Sequence, residues 1–180
     1  MSGKIKTLNL VYIALFAVLI VICSWISIPT LVPFTLQTFA IYLTVLLLGW
    51  KRGLGAILVY ILLGIVGVPV FSGFKAGLGV VAGPTGGYII GFIFLALVMG
   101  AIISRFGRGN IALFAAMFVG TLVCYAFGTI WYLVVYAQTT EPVGLLTALS
   151  FCVFPFIIPD ILKMLLAIFL GKRLSPYIKN

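Results

Sequence analysis

Long apolar runs, broken at short intervals by basic, glycine-rich or proline-bearing clusters, set the pattern of this chain. Six apolar segments can be drawn, over residues 8–28, 38–50, 54–70, 87–104, 111–136 and 146–170. A helix needs about 20 apolar residues to cross a bilayer, so the second segment is short. The fifth is longer than a perpendicular span and predicts a helix that tilts or protrudes. The sixth carries Pro155 and Pro159. Proline removes an amide donor inside a helix but suits its first turn, so a regular helix is expected to begin only at Pro159.

Composition turns this pattern into a class. The chain is 64% apolar and 7% charged, with a mean hydropathy of +1.38, whereas an ordinary soluble domain is about 25% charged. The expectation is an all-α integral membrane protein, a single six-helix domain over residues 1–180. The N-terminal apolar run is read as the first span rather than as a signal-peptide core. Net charge is +9, but the basic residues form small groups at span ends and not one patch, so nucleic acid is not an expected partner. Lys4, Lys6, Lys51, Arg52, Arg105, Arg108, Lys172, Arg173 and Lys179 fall on one side of alternating spans, and Lys75 and Glu141 on the other. The positive-inside rule then places both termini in the cytoplasm. Trp25 and the Trp131, Tyr132, Tyr136 group fall towards the outer interface, where aromatic residues form a belt.

Chemistry-bearing residues are few. There is no histidine, and Cys23, Cys124 and Cys152 are odd in number, scattered and without CxxC spacing. Neither a zinc site nor a disulfide framework is supported, and the cysteines read as small buried hydrophobes. Asp160 and Lys163 stand out, an acid and a base within one apolar segment. A charge at the bilayer centre costs about 3 kcal/mol or more, which makes such a residue a functional-site candidate. Positions i and i+3 share a helix face, and the next residues on that face, Ala167 and Gly171, are small enough for close packing. Asp160 precedes Lys172 by twelve residues, roughly 18 Å along a helix. The pair therefore lies at or beyond the midplane, towards the outside, and is expected to face a cavity. A helix-locking ion pair is the structural alternative.

Two outer loops flank that cavity. Between the first two spans, residues 29–37 carry Pro29 and Pro33 and end in Gln37, which both donates and accepts. This loop is either an apolar connector or a wall of the cavity. The second loop, residues 71–88, is glycine-rich and includes Gly83, Thr85 and Gly86. Its backbone can fold tightly and present amides and carbonyls to a ligand; a re-entrant turn with small-residue packing is the alternative. It holds neither GxxxxGK[ST] nor GxGxxG. Tyr88, just inside the fourth span, could stack on a flat ligand and present its hydroxyl.

The run Val32-Pro33-Phe34-Thr35-Leu36-Gln37, the run Gly83-Pro84-Thr85-Gly86-Gly87-Tyr88 and the segment from Pro155 to Lys163 together resemble the BioY family. These are biotin-specific substrate-binding (S) components of energy-coupling-factor (ECF) transporters, and the likeness spans nearly the whole chain. It implies an S-component fold with a structured outer loop between the first two helices, in a bacterial cell membrane. It also implies biotin capture from outside, and delivery by a transmembrane coupling protein with two ATP-binding cassette ATPases. The S component itself is not an enzyme and needs no cofactor. By motif, Tyr88, Asp160 and Lys163 become biotin-contacting residues, joined by Gln37, Gly83, Thr85 and Gly86. Biotin offers ureido N–H donors and a carboxylate, for which Asp160 and Lys163 supply an acceptor and a cation. The alternatives are an S component for another vitamin, such as thiamin or riboflavin, and a stand-alone secondary carrier with Asp160 as proton relay. The family's small-residue docking pattern on the first helix is only partly matched, with Ala14 followed by Val18.

Overall fold

A computed structural model describes residues 2–30, 32–139 and 144–178, with side chains described from residue 7 onward and not at 138 and 139. Glu141 and Lys179 lie outside the described residues, as do the side chains of Lys4 and Lys6, so those contributions to the charge asymmetry rest on sequence alone. Helix α1 (Ser2–Trp25) leads into a small antiparallel hairpin, β1 (Ser27–Ile28) with β2 (Phe34–Thr35). Then come α2 (Gln37–Leu48), α3 (Trp50–Ile65), a short α4 (Leu78–Ala82), α5 (Gly86–Phe106), α6 (Asn110–Thr139), α7 (Leu145–Cys152) and α8 (Phe154–Leu174). Neither the hairpin nor α4 was expected from the apolar pattern, because each is too short to impose a period.

Among the described residues, four stretches are long and apolar enough to cross a membrane: residues 7–25, 86–106, 110–137 and the α7–α8 stretch from 145 onward. The twelve residues of α2 reach only about 18 Å. Despite its shortness α2 is the centre of the molecule. It is apolar on every side, and Ala40 through Leu48 are all buried, packed among α1, α3, α5 and α8. A helix apolar all round has no face to offer water and is stable only when enclosed. Its junction with α3 is the single residue Gly49, at φ 76° and ψ 163°, a conformation that glycine adopts without steric cost. The break thus falls before Trp50, and Lys51 and Arg52 begin α3 instead of closing the second span.

The expected start of the last helix at Pro159 is corrected. The chain breaks at Val153, and α8 begins at Phe154 with Pro155 in its first turn. Pro159 lies inside the helix, where it forfeits one i→i−4 hydrogen bond. That loss is tolerated one turn from the start, where Phe156 N–H bonds Val153 O at 2.9 Å in a tightened first turn. Farther along α8, Ala167 is fully buried and Gly171 lets the Leu46 side chain of α2 approach its backbone closely. The small-residue face expected beyond Lys163 is therefore the face that meets α2.

Candidate functional site

Asp160 and Lys163 project from the second and third turns of α8 and are 2% and 6% exposed. Lys163 Nζ lies 2.8 Å from Asp160 Oδ1. The ammonium also donates to Thr35 O at 2.7 Å and to Thr38 Oγ1 at 3.2 Å. Lysine has three N–H donors, and all three are engaged. The ammonium further sits 4.3 Å from the centroid of the Phe34 ring, a cation–π distance. Asp160 Oδ1 accepts a second bond from Thr38 Oγ1 at 2.9 Å, and Oδ2 accepts from Tyr125 OH at 2.5 Å. A carboxylate has about four acceptor positions; three are filled here, which leaves one on Oδ2.

This network explains the hairpin. Residues 34, 35 and 38 belong to β2 and the first turn of α2. Leu36 N–H bonds Cys23 O and Ile26 O, which ties the hairpin's end to the end of α1. Pairing of Ser27 with Thr35 and of Ile28 with Phe34 aims the Thr35 carbonyl at the ammonium. Pro29 and Pro33, between the two strands, disfavour a helix there.

Around the pair lies a cavity of about 100 Å³, or about 810 Å³ when all the space out to its open mouth is counted. Its wall draws on the hairpin, α2, α3, the turn before α4, and α4 to α8. Gln37, Thr85, Tyr88, Asp160 and Lys163 are brought together on it. Gln37 donates to Tyr60 OH at 2.6 Å and accepts from Thr35 Oγ1 at 3.1 Å. Tyr88 pairs with Thr129 Oγ1 at 3.0 Å, and its ring lies directly over Gly128 of α6, where a Cβ would overlap it.

Gly83 and Gly86 are not part of the wall. Gly83 O accepts from Trp131 Nε1 at 3.0 Å. Gly86 packs its Cα against the Val81 carbonyl, leaving no room for a side chain. Both shape the path of the loop between α4 and α5. Trp131 is thereby a loop anchor, as is Trp25, whose Nε1 donates to Pro69 O at 2.9 Å. These contacts hold the second outer loop at both ends.

Several wall residues were not singled out from sequence. Tyr125 and Thr38 bind Asp160 directly, and Tyr60 and Phe71 line the cavity beside Gln37. A polar group in an apolar helix is the available signal for Tyr125, but six of the seven other tyrosines carry the same signal. Lys75 also lines the cavity, at its exposed edge. An isolated bridge between Phe71 and Lys75, with Phe71 N–H to Lys75 O at 3.0 Å, fixes its backbone. Among the described residues its ammonium has no ion-pair or hydrogen-bond partner. All three cysteines are free and buried, and Cys124 and Cys152 are part of the cavity wall.

Comparison with known proteins agrees with this architecture. A solved structure, the S-component for biotin from an ECF-type ABC transporter, superposes with a TM-score of 0.86 at 26% identity, covering 98% of this chain and 95% of that one. A probable biotin transporter BioY of Pyrococcus horikoshii is 39% identical over 173 residues, 96% of this chain and 98% of its own. The biotin transporter BioY of Thermotoga maritima is also 39% identical, over 93% of this chain and 95% of its own. The BioY family profile matches residues 1–180, and with relatives this similar along nearly their whole lengths the chain belongs to the BioY family.

Proposed function

We propose that this protein is the biotin-binding S component of an ECF-type transporter, a multi-pass protein of the cell membrane that captures biotin in the cavity around Asp160. The observation that carries this reading is the buried Asp160–Lys163 pair, set in the wall of an open cavity in a chain of this family. Six spans with both termini cytoplasmic accommodate α1, α2, α3, α5, α6 and the α7–α8 stretch, with residues 1–180 as one domain. The basic groups then face the cytoplasm, and the mouth of the cavity faces outward.

Hydrogen-bond arithmetic suggests how the ligand is divided. Lys163 has no donor to spare, whereas Asp160 Oδ2 retains one acceptor position for a ureido N–H. Gln37 retains one amide N–H and a carbonyl lone pair beside it. The ligand's carboxylate then goes to Lys75 at the mouth, not to Lys163. The titratable side chains of the wall that carry charge sum to +1, from Lys75, Lys163 and Asp160, which suits a monoanion and disfavours cationic thiamin. Tyr88, held by Thr129, flanks the bicyclic body, and Thr85 stands beside it. Gly83 and Gly86 serve the site by shaping its loop.

Transport itself falls to partners, an ECF coupling protein with two ATPases, and the S component is not an enzyme. Isothermal titration of the detergent-purified chain tests the reading: tight one-to-one biotin binding is expected. Well-folded protein that does not bind biotin refutes it. A stand-alone carrier predicts instead that proteoliposomes of this chain alone accumulate biotin under a pH gradient.

A further inference from the structure

A second cleft opens between α6 and α8 at the far end of both helices from Asp160. It is an open groove of about 840 Å³. Its walls are apolar, with Phe114 on α6 and Leu165 and Phe169 on α8, and its rim carries Asn110, Lys172 and Arg173. Leu165 and Phe169 are one turn apart on α8 and largely exposed, as are Lys172 and Arg173 beyond them. The Phe114 ring stacks on Phe118, so the apolar wall of α6 continues towards the membrane interior.

Among the described residues no acid answers the rim cations. The chain contains two acidic side chains against eleven basic ones. One, Asp160, is committed to Lys163, and the other, Glu141, follows α6 in sequence and is outside the described residues. Among the described residues Lys172 and Arg173 make no ion pair or side-chain hydrogen bond. The first turn of α6, starting at Asn110, contains no acid either, so its free amides add positive potential to the same rim. A ligand that complements both parts has an anionic head and a long apolar tail. It reaches the cleft from the bilayer.

We propose that this cleft is a binding site for one anionic phospholipid, its phosphate between Lys172, Arg173 and the start of α6, and an acyl chain along Phe114, Leu165 and Phe169. Basic clefts between helices at the cytoplasmic face recruit such headgroups. The site is separate from the vitamin cavity and does not depend on the identity of the vitamin.

Native mass spectrometry of the delipidated full chain tests it, with phosphatidylglycerol and phosphatidylcholine of equal acyl composition. A single phosphatidylglycerol is expected to be retained at a concentration about thirty-fold lower than phosphatidylcholine, given about 1 kcal/mol from each of two cations near the headgroup. The Lys172→Gln/Arg173→Gln variant should erase this preference. Lys51→Gln/Arg105→Gln, the same charge change on the same side but outside the cleft, should keep it. Phe114→Ala/Phe169→Ala should lower occupancy by both lipids while keeping the preference. Thermal melts by circular dichroism report whether each variant is folded. The proposal is overturned if both charge variants lose the preference equally, which would mean diffuse surface charge. It is also overturned if inorganic phosphate displaces the lipid at millimolar concentration, or if wild type shows no preference.

Discussion

Tyr125 of α6 donates its hydroxyl to Asp160 Oδ2 of α8 at 2.5 Å, joining two helices across the cavity through the one carboxylate buried there. With Thr38 and Lys163 on the other oxygen, the carboxylate is held in a single orientation, and its last lone pair is the only one offered to a ligand. Pre-ordering of this kind reduces what must be immobilised on binding.

Tyr125→Phe removes one charge-assisted hydrogen bond and little volume. Such bonds contribute about 1.5–3 kcal/mol to stability, so the melting temperature should fall, and biotin affinity should fall about ten-fold because the carboxylate loses its fixed orientation, while helix content stays the same. Titration calorimetry beside circular dichroism measures both. An unchanged affinity would mean that Tyr125 does not orient the acceptor.

The ion pair should behave asymmetrically. Lys163→Met alone leaves a buried carboxylate without its cation, and breaking a buried pair this way costs about 3–5 kcal/mol. Asp160→Asn/Lys163→Met together removes both charges and should recover most of that stability. Biotin binding should be lost in both. A double variant that melts no higher than the single one contradicts this account.

Lys75→Met should weaken biotin about ten-fold at low salt, since the exposed mouth is open to counterions. Biotin methyl ester, which lacks the carboxylate charge, should bind wild type and variant alike. If the ester loses as much affinity as the acid, Lys75 acts on the shape of the mouth and not on the carboxylate.

Gly128→Ala places a methyl group where the Tyr88 ring now lies. Over-packing of this kind costs about 1–3 kcal/mol. Moving the ring should also break its bond to Thr129, so affinity is expected to fall together with the melting temperature. Gly128→Ala/Tyr88→Phe separates the two effects: if the hydroxyl matters only through Thr129, the double variant binds no worse than Gly128→Ala.

Much of this architecture was legible in the chain. Apolar runs of span length located α1, α5, α6 and the last helical stretch, because a bilayer demands about 20 apolar residues and little else. The i, i+3 spacing of Asp160 and Lys163 put them on one face, and their buried contact follows from helix geometry. The motifs shared with the BioY family pointed to Gln37, Thr85 and Tyr88 on the same wall.

Tertiary structure decided the rest. No local pattern told Tyr125 from the other tyrosines, and only the packing of α6 against α8 selects it. Lys163 was legible as a cation, but that its three protons are consumed by Thr35, Thr38 and Asp160 depends on where a two-residue hairpin docks. By propensity Pro155 and Pro159 predict an interruption reaching to Pro159. The chain instead breaks at Val153, and packing holds the helix through Pro159. Short-range periodicity and charge determine which segments enter the membrane and which residues are costly there. Which partners those residues find is a matter of non-local contact, and that the amino-acid order does not state.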